Sequence, residues 1–189
     1  LGQYANFKVN KKIESEKKFL NSINFFLKKY LISITKIKKK TNVFHSRHDA
    51  KERIYQYKII NRVGTLSLNK NKAWHIKKKL NINLLKKGAK LLQGTHDFST
   101  FRASSCYSNS PIKKMNAVHI KKKGDEITIE FKSKSFLQNQ VRSMVGSLEY
   151  LSCGKWTLND FKKALKSKKR SECAPPAPAC GLYLKNVRY

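Results

Sequence analysis

The period of the hydrophobic pattern changes near residue 135, and this change limits the possible folds more than any other feature of the chain. Residues 127–132 alternate apolar with polar side chains, which is typical of a strand with one covered face. The next segment repeats its apolar side chains at intervals of four and three, as a helix with one buried stripe does: Leu137, Val141, Met144, Leu148 and Leu151. The sequence therefore predicts a helix packed on a sheet.

Further strands are predicted on both sides of this region. Residues 54–60 alternate, and residues 118–121 precede a turn at Gly124 that leads into the strand described above. The prolines within residues 174–178 exclude a helix or a central strand there. We therefore expect an extended surface segment that leads to a last strand at residues 181–184.

Helices are predicted between these strands. Ser15 is placed to cap a helix whose apolar side chains lie between residues 19 and 30, and residues 81–93 carry a second apolar stripe. Thr157 and Asp160 have the spacing of a capping box at the start of another helix. The elements interleave without the Gly-rich turns of a nucleotide-binding fold. The predicted class is α+β, with helices packed on a central antiparallel or mixed sheet.

The net charge is the most unusual property of the composition. The chain has 189 residues, with 42 Lys and Arg against 11 Asp and Glu, which gives a formal net charge of +31. Such a surface favours polyanions as partners. The 35 lysines outnumber the seven arginines, and Asn and Ile are also abundant. AT-rich coding bias and selection for RNA binding are therefore equally good explanations for any single exposed lysine.

Several other classes are disfavoured. The apolar, uncharged stretch at residues 30–35 is far too short to cross a bilayer, so no membrane insertion is expected. The four cysteines include no Cys-x-x-Cys pair, which favours reduced thiols in the cytoplasm. His45 and His48 have ligand-like spacing, but no carboxylate or thiol cluster accompanies them. A metal site is therefore not expected.

Four segments, in order along almost the whole chain, resemble the tRNA pseudouridine synthase A family. They are FHSRHDAKERIYQY at residues 44–57, GTHDFSTFR at residues 94–102, FLQNQVRSMVG at residues 136–146 and APACGLYL at residues 177–184. Four such segments in one order are much stronger evidence than any one of them alone. One departure is Gln140, where the family commonly has methionine.

The resemblance implies a reaction and its partners. The family converts uridine to pseudouridine at positions 38 to 40 of the tRNA anticodon stem-loop, without metal or cofactor. It acts in the cytoplasm as a homodimer that grips one tRNA across both subunits. The implied fold has two related α+β halves around a shared central sheet, with residues 1–43 completing the first half and residues 44–189 forming the second.

Tyr55 matches the active-site tyrosine of the family, which packs on the target base and takes part in proton transfer. From the residues alone, a core role is the better interpretation of Tyr55, because it shares a strand face with Tyr57 and Ile59. With the resemblance, the site role is the better interpretation.

Arg142 matches the family's arginine that orients the nucleophilic aspartate through an ion pair. The rigid guanidinium fork suits that task better than lysine does. The alternative is an exposed helix arginine whose stem packs on the helix surface. The resemblance also suggests side chains that either contact RNA phosphates or support the pocket, and the two roles stay open for each: His45, Arg47, Arg53, His96 and Arg102.

The family's nucleophile is an aspartate in an Arg-Thr-Asp motif, which these residues do not contain. Residues 1–7 resemble the strand that follows that motif, so the sequence predicts that the motif lies just before Leu1. None of Asp49, Asp97, Asp125 and Asp160 has the required context. We therefore expect the chain as printed to bind tRNA weakly and to form no pseudouridine. The alternatives are a relative that lost its aspartate naturally and a non-catalytic basic RNA-binding protein.

Overall fold

A computed structural model describes residues 2–30 and 32–189, so Leu1 and Leu31 lie outside the described residues. The contacts between residues divide the chain into two compact units. One consists of Tyr4–Asp49, and the other consists of Ala50–Tyr189 and also includes Gly2 and Gln3. The predicted division at residue 43 concerns the halves of a larger fold and stays a prediction.

The unit Tyr4–Asp49 contains helix α1 (Glu16–Leu27), followed by a short 3-10 turn. Ser15 caps α1 by accepting a hydrogen bond from the Lys18 N–H (3.3 Å), which confirms the predicted start. The predicted strand at residues 1–7 is wrong for its described part, since residues 2–7 form no strand. Gly2 donates one backbone hydrogen bond (3.0 Å), but no ladder of bonds continues from it.

The second unit, within its described residues, is built on a mixed sheet of six strands. The strands are β1 (Glu52–Asn61), β2 (Trp74–Ile76), β3 (Gly94–Asp97), β4 (Ile112–Lys123), β5 (Glu126–Ser133) and β6 (Leu182–Arg188). Their order is β2-β1-β5-β4-β3, and β6 pairs with β1 on the side away from β5. Only β2 runs parallel to its neighbour among these described pairs. The α+β class is confirmed.

Three helices accompany this sheet: α2 (Ile82–Leu91), α3 (Gln140–Ser152) and α4 (Leu158–Ser167). Asn81 caps α2 by accepting from the Leu84 N–H (3.1 Å). Thr157 and Asp160 form both bonds of the predicted capping box at the start of α4. The apolar stripes predicted α2 and α3, and the spacing of the capping box predicted α4.

The core lies between the sheet and these helices. The alternating side chains of β5 are fully buried on one face, as are those of the neighbouring strand β1: Ile127, Ile129, Phe131, Tyr57 and Ile59. The predicted stripe of α3 packs against them, and α3 also buries Ser143 and Ser147 on its flank. The longest helix has 13 residues, and none in the part of the chain that the structure describes is both long and apolar enough to cross a membrane.

Candidate active site

Tyr55 lies in the middle of β1, between Phe131 of β5 and Leu184 of β6. The pairing with β6 shifts at this point, because Lys185 is an extra residue between the partners of Ile54 and Tyr55. Such bulges re-aim side chains and are common beside active sites.

The Tyr55 side chain is half-buried, and its ring meets the Phe136 ring edge to face, with 5.0 Å between centroids. Within residues 2–30 and 32–189, no group hydrogen-bonds the Tyr55 hydroxyl. The ring therefore offers an aromatic surface together with an uncommitted hydroxyl.

Tyr57, two residues further on the same face, has opposite surroundings. Its ring is fully buried, and its hydroxyl donates to the Pro178 carbonyl (2.6 Å). Burial raises the pKa of Tyr57 well above its usual range, nearby Cys180 raises this pKa further, and the positive charge of Arg142 opposes both effects. Tyr57 is thus a neutral donor that ties β1 to the segment after α4, and Arg142 lies within electrostatic range of it.

Arg142 is a half-buried residue in the first turn of α3. Its Nε donates to the Ala177 carbonyl (2.7 Å), and its Nη1 approaches Asn139 Oδ1 (3.5 Å), which is at the limit for a hydrogen bond. No described carboxylate lies within 4.0 Å of the guanidinium. The guanidinium is held on one side, and its remaining N–H donors can receive a carboxylate.

The aspartates of the chain are all bonded elsewhere. Asp49 accepts from the His45 N–H (2.8 Å). Asp97 accepts from the Ser99 N–H, and Asp125 pairs with Arg62 at 3.8 Å. Asp160 serves the cap of α4, as described above. Within the second unit, none of Asp97, Asp125 and Asp160 pairs with Arg142.

The predicted RNA contacts fall in both units. His45 and Arg47 are exposed in the unit Tyr4–Asp49, where His45 Nδ1 accepts from the Arg47 N–H (3.1 Å). In the second unit, Arg53 donates to a carbonyl in the loop after β5. His96 Nε2 bonds a carbonyl at 2.7 Å, and Arg102 donates to a carbonyl four residues further along the chain. Arg53 thus connects β1 to the loop after β5, whereas His96 and Arg102 bond nearby carbonyls of their own part of the chain. RNA contact by any of the five remains a prediction.

Sequence reasoning missed three groups in this region: the Ala177 carbonyl, Asn139 and Phe136. A backbone carbonyl has no side-chain signature, so nothing in the residue type of Ala177 marks it. Asn139 has φ +59, in the left-handed region that Asn tolerates, and its side chain makes no capping bond to α3.

In the described part of the chain, no three His, Cys, Asp or Glu side chains are grouped as metal ligands.

Comparisons with known proteins agree on one family. A family model described as tRNA pseudouridine synthase matches residues 89–189. A tRNA pseudouridine synthase A from Pelagibacter ubique is 57% identical over 187 residues, which cover 99% of this chain and 76% of that relative. Relatives of the same name from Caulobacter vibrioides and Maricaulis maris are 39% and 38% identical, each across 100% of this chain and 76% of the relative.

Proposed function

The chain belongs to the tRNA pseudouridine synthase A family, and on that premise we propose that it takes part in converting uridine to pseudouridine at positions 38 to 40 of the tRNA anticodon stem-loop. We further propose that it works in the cytoplasm as a homodimer on one tRNA. The observation that carries the proposal is the guanidinium of Arg142, which is held on one side and has no described carboxylate partner.

The reaction makes particular demands on the protein. The bond from the ribose C1′ to N1 of uracil breaks, the base turns, and C1′ joins C5 instead. C5 then loses its proton and N1 gains one, so the atoms balance as an isomerisation. The target nucleotide must leave its stack for this to happen.

Tyr55 and Arg142 meet two of these demands. The half-buried Tyr55 ring provides a surface for the uracil, and its uncommitted hydroxyl can relay the C5 proton. Arg142 keeps a carboxylate ionised and oriented at the sugar. By resemblance, that carboxylate is the aspartate of the Arg-Thr-Asp motif, which these 189 residues do not contain. The 189 residues alone are therefore expected to bind tRNA without forming pseudouridine.

A second candidate is a basic RNA-binding protein without catalysis. The net charge of +31 favours it, because that charge alone attracts tRNA. A role in RNA binding alone gives no reason for the Tyr55 hydroxyl to lack a partner or for the Arg142 guanidinium to be held on one side.

Pseudouridine mapping on unmodified tRNA separates the two candidates. The protein expressed from its complete gene should modify positions 38 to 40. Tyr55→Phe should abolish turnover while tRNA affinity stays unchanged, because only the hydroxyl is removed. The matched control is Tyr107→Phe, whose side chain is 96% exposed, and this variant should behave as wild type. Binding without modification by the wild type would favour the RNA-binding role, and wild-type turnover by Tyr55→Phe would refute the assignment of Tyr55.

A further inference from the structure

We propose that the extended segment Ala174–Pro178 is the positioning element for Arg142, and that Gly146 is required because it lets this segment lie directly on α3. The inference rests on the proposed function for the role of Arg142. It assigns to the segment a task in the reaction, performed by a main-chain oxygen rather than by a side chain.

Two hydrogen bonds join the segment to the same residue of α3. Arg142 Nε donates to the Ala177 carbonyl (2.7 Å), and the Ala177 N–H donates to the Arg142 carbonyl (3.0 Å). Both the backbone and the side chain of Arg142 are therefore fixed by one residue. The contact from Arg142 Nη1 to Asn139 is longer (3.5 Å), so Ala177 is the principal support of the guanidinium.

The prolines make this arrangement rigid. Residues 175, 176 and 178 are prolines, which have fixed φ angles and no N–H. Ala177 is therefore the one residue among 175–178 with a backbone donor, and that donor bonds Arg142. A segment of this kind loses little conformational entropy when it is held in place.

Gly146 explains how the segment approaches the helix so closely. A Cβ at position 146 would lie 2.0 Å from the Pro175 carbonyl oxygen and 3.3 Å from the Ala177 nitrogen. Both atoms belong to the backbone, so any side chain here would displace the segment. Glycine inside a helix costs about 1 kcal/mol relative to alanine, so its presence in the middle of α3 calls for a packing reason.

The segment is also anchored at its other end. The Pro178 carbonyl accepts from Tyr57 of β1 (2.6 Å). At Gly181, a Cβ would lie 2.7 Å from the Lys58 carbonyl oxygen and 2.8 Å from the Tyr57 ring. The segment therefore spans from α3 to the strand that carries Tyr55, and a shift of the segment would move Arg142 relative to that strand.

Gly146→Ala in the protein expressed from its complete gene tests the inference. We expect kcat to fall on the order of tenfold to a hundredfold, because catalytic groups lose that much when they are misplaced by about 1 Å. The KM for tRNA should stay within about twofold, because the added methyl removes no charge from the surface.

Gly88→Ala is the matched control, since it also adds a methyl to a buried helix glycine. Its Cβ would lie 2.7 Å from the Cδ2 atoms of Leu148 and Leu151, which are flexible side-chain ends. This variant should lower the melting temperature and leave kcat unchanged. A fall in kcat for both variants would mean that loss of packing, and not position, explains the effect.

A spectroscopic measurement reports on Arg142 without activity. The Arg142 Nε–H gives a ¹H–¹⁵N resonance, which is assigned as the signal lost in Arg142→Lys. Its shift should be that of a hydrogen-bonded group in the wild type and in Gly88→Ala, and that of a solvated group in Gly146→Ala. An unchanged resonance in Gly146→Ala would overturn the inference, as would wild-type kcat.

Pro176→Gly is the second variant, for the case in which Gly146→Ala does not fold. Pro176 is exposed, so the substitution loosens the segment without adding volume to the core. It should lower kcat several-fold and broaden the Arg142 resonance, and its failure to do either would overturn the inference. If Arg142→Lys proves fully active, the proposed function of Arg142 fails, but the resonance still decides whether Ala177 holds the guanidinium.

Discussion

At the scale of single residues, the two tyrosines of β1 have different surroundings although they share one strand face. The hydroxyl of Tyr55 is uncommitted, whereas that of Tyr57 is buried and bonded to the Pro178 carbonyl. Alternation in the sequence places both on one face, and the structure shows that Tyr57 anchors the strand while the hydroxyl of Tyr55 has no described partner.

The anchoring role leads to a stability prediction for Tyr57→Phe. Removing the hydroxyl leaves the Pro178 carbonyl without its donor in a partly buried site, which should lower the free energy of unfolding by about 1 kcal/mol. Urea unfolding measures this change.

The control is Tyr183→Phe, because the Tyr183 hydroxyl donates to the Lys72 carbonyl (2.7 Å) at an exposed position where water can replace it. Its effect should be below about 0.5 kcal/mol. Equal losses in the two variants would contradict the anchoring role of Tyr57.

At the scale of elements, long periodic segments were predictable and short ones were not. The stripe of α3 and the alternation of β5 each extend over enough residues to define a period. Strands β2 and β3 have three and four residues, too few to show alternation, and β4 begins earlier than predicted because β3 pairs with its first half. The expected strand is absent from residues 2–7, because a strand needs a ladder of backbone bonds to a neighbour and Gly2 donates only a single bond to β6.

The capping box of α4 gives the prediction at this scale. Thr157→Ala removes the side-chain oxygen that accepts from the Asp160 N–H (3.2 Å), and the free energy of unfolding should fall by about 1 kcal/mol. Thermal or urea unfolding measures it. Thr65→Ala, at an exposed loop position, should have almost no effect, and the capping account fails if the two variants are equally stable.

The candidate site was predictable only in part. Tyr55 and Arg142 came from the resemblance, because neither residue type nor spacing distinguishes them from a core tyrosine and a helix arginine. The Ala177 carbonyl was not predictable, since every residue has one and only the fold determines where it points. Gly146 and the prolines were visible in the sequence, but it does not show that they touch. In the structure they lie so close that a Cβ added at Gly146 would be 2.0 Å from the Pro175 carbonyl oxygen.

At the scale of the whole molecule, binding and catalysis draw on different features. The net charge of +31 is spread over many lysines, so tRNA affinity should depend on salt and hardly on any single side chain. Catalysis should instead depend on the orientation of one guanidinium, which the extended segment holds in place from the side of Ala177.

The most direct test of this account compares Arg142→Lys with wild type, both expressed from the complete gene, for pseudouridine formation and for tRNA affinity. Lysine keeps the positive charge, but it cannot bond the Ala177 carbonyl and a carboxylate in the same fixed geometry. We predict a loss of turnover on the order of a hundredfold or more, with tRNA affinity within about twofold of wild type. Wild-type turnover, or equal losses of turnover and affinity, would contradict the account.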